Sequence, residues 1–116
     1  NPAQKLVGTE EADIIHGTTS ANTITGGAGA DKIYLGELDG AVDTVILNNI
    51  ASSDLIFDFE VGTDQIDISS LISGSEAVSI DTVSGNSTIE VDGSIVATIM
   101  GVESGLSYDA DTQIVS

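Results

Sequence analysis

Gly26-Gly27-Ala28-Gly29-Ala30-Asp31-Lys32-Ile33-Tyr34 is the stretch on which the fold turns. Its first six residues carry glycine at positions 1, 2 and 4 and close on a carboxylate. Lys32-Ile33-Tyr34 then reads as a three-residue strand, with Ile33 facing one way and its neighbours the other. The frame recurs upstream at nine-residue steps: Gly17, Asn22 and Ile24, then Gly8, Asp13 and Ile15. Glycine, oxygen donor and isoleucine all stay in phase.

Glycine permits positive φ, so the turn can aim its carbonyls into one shared space. The next nine residues repeat the unit in the opposite direction, and two units close a coil. Turns one coil apart then stack on the same side. This pairs Asp13 with Asp31 and leaves Asn22 on the far side, with Asp43 as its downstream partner. Ile15 and Ile33 stack in one sheet, and Ile24 faces them from the other. The expected fold is all-β: a short parallel β-roll capped by antiparallel strands.

Calcium takes about six to eight oxygen ligands. A single turn offers about two carbonyls and one carboxylate, so two stacked turns complete a shell that neither could form alone. Binding and folding should therefore be coupled. Magnesium fits worse, because it demands strict octahedral geometry and keeps its waters. The expected ligand set is Gly8, Glu10 and Asp13; Gly17, Thr19 and Asn22; Gly26, Gly27, Ala28, Gly29 and Asp31; and Asp43. The competing reading is a solenoid whose Asp and Asn side chains merely cap turns by bonding backbone.

The charge balance agrees. Nineteen acidic residues stand against two lysines or arginines, a net charge of −17. Nucleic acid is excluded as a partner, since phosphate binding needs Lys and Arg. Anionic lipid and polyanionic glycan are disfavoured unless a metal bridges them. Yet 41% of residues are apolar and mean hydropathy is positive, which argues against disorder. Val, Ile and Thr favour strands, so the chain can bury a core while repelling itself electrostatically. A divalent cation is the simplest remedy; an acidic surface kept for solubility is the bland alternative. The sequence has no cysteine, hence no disulfide or thiolate zinc site. No stretch of 18 apolar residues reads as a membrane span, and the start does not read as a signal peptide.

The chain divides into residues 8–52, the roll, and 53–116, a cap continuous with it. The period slips over 35–52, where Gly40-Ala41-Val42-Asp43-Thr44-Val45 echoes the repeat after an insertion around Leu35-Gly36-Glu37. Alternation at Val78, Ile80, Ile89 and Val91 marks half-buried strands. Ser84-Gly85-Asn86 reads as a turn, and Asp92-Gly93 between β-branched residues as a type I′ hairpin. Leu71-Ile72 suggests a helical turn, Thr112 to Val115 a last strand, and no long helix is expected.

The repeat resembles the glycine-rich nonapeptide G-G-x-G-x-D-x-U-x of RTX proteins, a calcium-binding roll. Residues 26–34 match every fixed position. Residues 8–16 keep Gly8, Asp13 and Ile15 but place Thr9 and Glu11 where glycines belong. Residues 17–25 keep Gly17 and Ile24, with Thr18, Ser20 and Asn22 as substitutes.

The run Asp54-Leu-Ile-Phe-Asp58-Phe59, then Gly62-Thr-Asp64-Gln-Ile66-Asp67-Ile-Ser69, resembles the D-x-I-x-D-F-x-x-G-x-D-x-I-D-L-S segment. That segment follows the roll in bacterial type I secreted proteins such as serralysin-type proteases, polysaccharide lyases and epimerases, and RTX adhesins. The resemblance implies a C-terminal export module, read by the type I secretion machinery and folded by calcium outside the cell. It implies a secreted or cell-surface location and a transient partnership with the translocator. Asp58 and Asp64 flank the Gly62 turn and are expected either to serve a last calcium site beside Gly26–Asp31 or to stand as surface carboxylates. Neither Phe57 nor Phe59 is expected to serve as a stacking platform, and at least one of them is expected to plug the core under the roll. Asp67 either caps Ser69-Ser70 or ligates.

Nothing reads as an enzyme. The single histidine, His16, falls at the outward ninth position, and no serine is placed against it. There is no H-E-x-x-H and no phosphate loop, and paired carboxylates fall at the turns, where they read as metal ligands. The function expected is a monomeric, calcium-dependent folding module of a larger secreted bacterial protein. The alternatives are a polysaccharide- or surface-binding roll, with Thr23, Thr25, Lys32 and Tyr34 outward, or the structural terminus of an adhesin.

Overall fold

The computed structural model describes residues 4–17, 21–27, 29–35, 42–48, 53–74 and 76–116. Seven short strands wind into a roll: β1 (Gln4–Val7), β2 (Ile14–His16), β3 (Asn22–Thr25), β4 (Lys32–Tyr34), β5 (Thr44–Ile46), β6 (Asp54–Phe57) and β7 (Gln65–Asp67). Odd strands pair in parallel in one sheet and even strands in the other. The parallel stacking runs through β6 and β7, so the segment after residue 53 supplies the last coil as well as the cap.

Strand side chains alternate between faces, so each strand sends its central isoleucine or valine inward. Leu6, Ile24, Val45 and Ile66 stand in register in one sheet. Ile15, Ile33 and Ile56 do so in the other, and Ile99 extends the row. Ile24, Ile33, Val45, Ile56, Ile66 and Ile99 are completely buried. Each such side chain contributes about 1.5–3 kcal/mol on leaving water.

Successive coils are not equal. The rungs at Asp13 and Asp31 are 18 residues apart, but later ones are separated by 21 or 23. The extra residues fall between strands, at the corners, because inserting them within a strand would turn its inward side chains to solvent. Residues 36–41, where the period slips, lie outside the described residues.

The cap adds β8 (Val78–Val83), β9 (Asn86–Val91) and β10 (Ser94–Ile99), an antiparallel meander docked through β10 onto β6. β11 (Tyr108–Asp109) and β12 (Ile114–Val115) extend the other sheet antiparallel to β7. Both two-residue hairpin turns have positive φ at each central residue, Ser84-Gly85 at 51° and 84°, Asp92-Gly93 at 51° and 85°. That is type I′ geometry, expected from the sequence for Asp92-Gly93, whereas the sequence implies only a turn at Ser84-Gly85-Asn86. A single 3-10 turn spans Ser69–Leu71. Asp67 Oδ1 accepts the Ser69 N–H at 2.9 Å, which makes Asp67 a turn cap. Phe59 is buried with Leu71, Val96 and Val102 in the core shared by roll and cap. Among the described residues no helix is long and apolar enough to cross a membrane.

Candidate metal centre

Acidic residues stand one above another at two corners of the roll. At one corner, the Asp13 N–H donates to Asp31 Oδ1 at 2.7 Å, and the Asp31 N–H to Asp54 Oδ1 at 2.8 Å. At the other, the Asn22 N–H donates to Asp43 Oδ1 at 2.8 Å, and the Asp43 N–H to Asp64 Oδ1 at 3.0 Å. Each carboxylate thus reaches back one coil to the backbone of its predecessor. The pairings read from the sequence, Asp13 with Asp31 and Asn22 with Asp43, are those the fold makes.

The turns Gly8–Asp13 and Gly26–Asp31 stack closely. A Cβ added to Gly8 would collide with the Gly26 carbonyl oxygen and stand 2.8 Å from Asp13 Oδ2. One on Gly27 would stand 2.5 Å from the Thr9 oxygen, and one on Gly29 2.8 Å from the Glu11 oxygen. Gly27 and Gly29 also have φ of +83° and +86°, a region that L side chains rarely adopt. Carbonyls of Thr9, Glu11 and Gly26 therefore crowd the space between the turns. Thr9 and Glu11 replace glycine in their turn without strain because neither has positive φ, and both side chains are exposed.

Asp31 is only 1% exposed, and its Oδ2 has no hydrogen-bond partner. Asp13, at the same place in its own turn, differs: its Oδ2 accepts the Thr9 N–H at 2.6 Å and the Thr9 hydroxyl at 3.0 Å. Burial raises the Asp31 carboxyl above its ordinary range; the Asp13 N–H opposes this and the Asp13 charge adds to it. Asp54 is pushed up to about 6, again chiefly by burial, with the Asp31 N–H opposing and the Asp31 charge adding. A Cβ on Gly26 would stand 2.6 Å from Asp31 Oδ2 and 3.3 Å from Asp54 Oδ2.

A buried carboxylate without a partner is costly unless a cation compensates it. Hard oxygen donors around a glycine-lined space suit calcium. Among the described residues no three His, Cys, Asp or Glu side chains converge to hold a metal. Backbone carbonyls must therefore complete the shell, and glycine turns are able to supply them.

Gly8, Asp13, Gly26, Gly27, Gly29 and Asp31 thus come together in the stacked turns. Gly17, Asn22, Asp43 and Asp64 meet at the other corner, where a Cβ on Gly17 would stand 3.0 Å from Asn22 Nδ2. Glu10 is exposed on its turn. Thr19 and Ala28 lie outside the described residues. Of the two alternatives expected for Asp58 and Asp64, the surface carboxylate describes Asp58, and neither residue stands beside the Gly26–Asp31 turn. Asp64 sits below Asp43, away from the Gly26–Asp31 turn, and Asp58 is exposed in neither stack. Asp58 has φ of 65° at the end of β6, where the chain leaves the strand.

Asp54 stands below Asp31 instead, and the nine-residue count misses it because of the intervening insertions. A local signal marks it nonetheless. Asp13-x-Ile15, Asn22-x-Ile24, Asp31-x-Ile33, Asp43-x-Val45, Asp54-x-Ile56 and Asp64-x-Ile66 share one frame: oxygen donor at the corner, core residue two places on.

On the outer face of the β2–β4–β6 sheet, His16, Tyr34 and Phe57 form a column in register. Ring centroids are 4.7 Å apart for His16 and Tyr34 and 4.5 Å for Tyr34 and Phe57, with 9° between planes in both pairs. His16 is exposed as expected. Phe59 is the core plug expected of the pair, and Phe57 stacks on Tyr34 at the outer face.

Residues 7–40 match the family model described as "RTX calcium-binding nonapeptide repeat (4 copies)". No curated protein matches the sequence. Among solved structures, the chain is similar to the AlgE6R3 subunit from the Azotobacter vinelandii mannuronan C5-epimerase, with 21% identity and a TM-score of 0.57. That match covers 85% of this chain and 71% of the other. Residues 7–40 therefore match RTX calcium-binding nonapeptide repeats, and the chain as a whole has the β-roll fold.

Proposed function

We propose that the module is a calcium-triggered folding switch in a larger secreted bacterial protein, and that it supports type I export. The single observation carrying this reading is the buried, partnerless Asp31 Oδ2 within a stack of carboxylates. A chain of net charge −17 opposes its own compaction where calcium is scarce, and it can be threaded while loose. Outside the cell, calcium neutralises the turns and the roll closes. Extracellular modules bind calcium with Kd of about 10⁻⁴–10⁻³ M, which suits a switch between the two compartments. The export role rests on the resemblance of residues 54–69 to the segment that follows the roll in type I secreted proteins. The module acts as a monomer at or outside the cell surface, with the translocator as its transient partner.

Calcium titration followed by circular dichroism, with EDTA reversal, tests the switch. The β signal should appear with calcium and vanish with EDTA; a full signal in EDTA would sink it. Export is tested separately, by the secretion of a passenger fused to residues 1–116 in cells with and without a type I translocator.

The aromatic column favours a second reading, contact with a polysaccharide. His16, Tyr34 and Phe57 give the sheet the outer stripe that such modules use, beside Lys32, one of only two basic residues. Affinity electrophoresis in gels containing neutral or anionic polysaccharide tests it. Retardation lost in Tyr34→Ala supports this reading, and equal mobility in every gel removes it.

A further inference from the structure

We propose that Asp54, which lies outside the matched repeats, is a calcium ligand that shares with Asp31 a second site below the Gly26–Asp31 turn. This rests on the calcium reading of the roll and extends it beyond the nonapeptides.

Three observations converge on this pair. Asp31 Oδ1 is committed upward to the Asp13 N–H, while its Oδ2 is buried without a partner. Asp54 Oδ1 is committed to the Asp31 N–H, and its Oδ2 lies on the same side of Gly26 as Asp31 Oδ2. A Cβ at Gly26 would stand within 3.3 Å of both Oδ2 atoms, so glycine there keeps the space between them open. In the turn above, the same oxygen of Asp13 is satisfied by Thr9, so among the described residues Asp31 Oδ2 is the buried side-chain oxygen left without a partner.

Among the described residues no basic side chain meets this pair, and the only charges that act on it are carboxylates. The basic residues of the chain number two, and Lys32 is exposed on the outer face of β4. Two carboxylates brought to one glycine-lined space, with their other oxygens spent on backbone, call for a hard divalent cation, with carbonyls supplying the remaining ligands. The roll's calcium stack thereby gains a rung after the repeats end. Asp54 links the repeats to the cap, because β6 carries β10 on its far edge.

Isothermal titration of the full chain with calcium chloride at neutral pH tests this, comparing wild type, Asp54→Asn and Asp58→Asn. Asparagine at 54 keeps an acceptor for the Asp31 N–H and removes a buried charge, so the variant should still reach the wild-type β signal in saturating calcium, as circular dichroism would verify. Asp54→Asn should lose one calcium equivalent, or weaken one class of site by about tenfold or more, because affinity follows ligand charge. Asp58→Asn should titrate as wild type. Gly26→Ala, which fills the space between the two oxygens, should repeat the loss. If wild type binds calcium and Asp54→Asn binds equally well, the Asp54 site is wrong while the calcium reading stands. If wild type binds none, both fall.

Discussion

The backbone N–H of Asp31 donates to Oδ1 of Asp54, 23 residues further on, at 2.8 Å, while the Oδ2 of Asp31 itself accepts nothing. One residue thus holds the coil below through its backbone and the coil above through one carboxylate oxygen. Its other oxygen remains for a cation. Asp31→Ala should therefore damage the calcium response more than any other single carboxylate change. The calcium midpoint should rise about tenfold or more. Asp13→Ala should cost less, since Asp13 borders one inter-turn space. Circular dichroism against calcium concentration reads both, and equal midpoints for Asp31→Ala and wild type would dismantle the site.

Proton and calcium should compete. Burial raises the Asp54 carboxyl in the folded state to about 6, above its ordinary range, and Asp31 is raised in the same direction. The folded state then binds protons more tightly than the unfolded chain. Without calcium, the stability from these groups is fully present below the unfolded value and is lost as pH rises through about 6. With calcium the dependence reverses, because ligation needs the ionised carboxylate. Calcium midpoints from circular dichroism between about pH 5 and 8, for wild type and Asp54→Asn, isolate the Asp54 share, the wild-type midpoint rising more steeply as pH falls. Parallel profiles would contradict the assignment.

The inward isoleucines should carry the stability of the calcium-loaded roll. Ile33 is completely buried between Ile15 and Ile56, and Ile33→Ala should cost about 2–5 kcal/mol. Its neighbour Ile14 is 65% exposed on the edge strand, and Ile14→Ala should stay within about 0.5 kcal/mol. Denaturant midpoints in saturating calcium give both values.

Two glycines of nearly equal φ should behave differently. Gly27 at +83° lies against the Thr9 carbonyl, whereas Gly93 at +85° has nothing within 4 Å of an added Cβ. Gly93→Ala should cost about 1–2 kcal/mol from conformation alone, read in saturating calcium. Gly27→Ala should cost more and should raise the calcium midpoint, because it separates the stacked turns. Equal effects from the two would mean that the turns do not stack as described.

The nonapeptide frame, read from residues alone, specified strands, inward isoleucines and the pairing of Asp13 with Asp31. Glycine spacing and side-chain alternation are local properties, so they survive in a single sequence. The hairpin turns at Ser84-Gly85 and Asp92-Gly93 were legible for the same reason. The stacking of Phe57 on Tyr34 was not. It depends on β6 lying beside β4, across insertions that a fixed period cannot count.

The sequence by itself determined that this chain rolls, that its corners carry oxygen donors and that calcium is the ion they suit. Only the tertiary structure decided which donors meet. It put Asp54 below Asp31, sent Asp64 to the other corner beneath Asp43, and left Asp58 in solvent. The reason is physical. Register in a roll is set by burying each coil's isoleucine over the last, so corner residues follow the core rather than the count along the chain. The pattern of an acid two places before a core residue is what holds the two together.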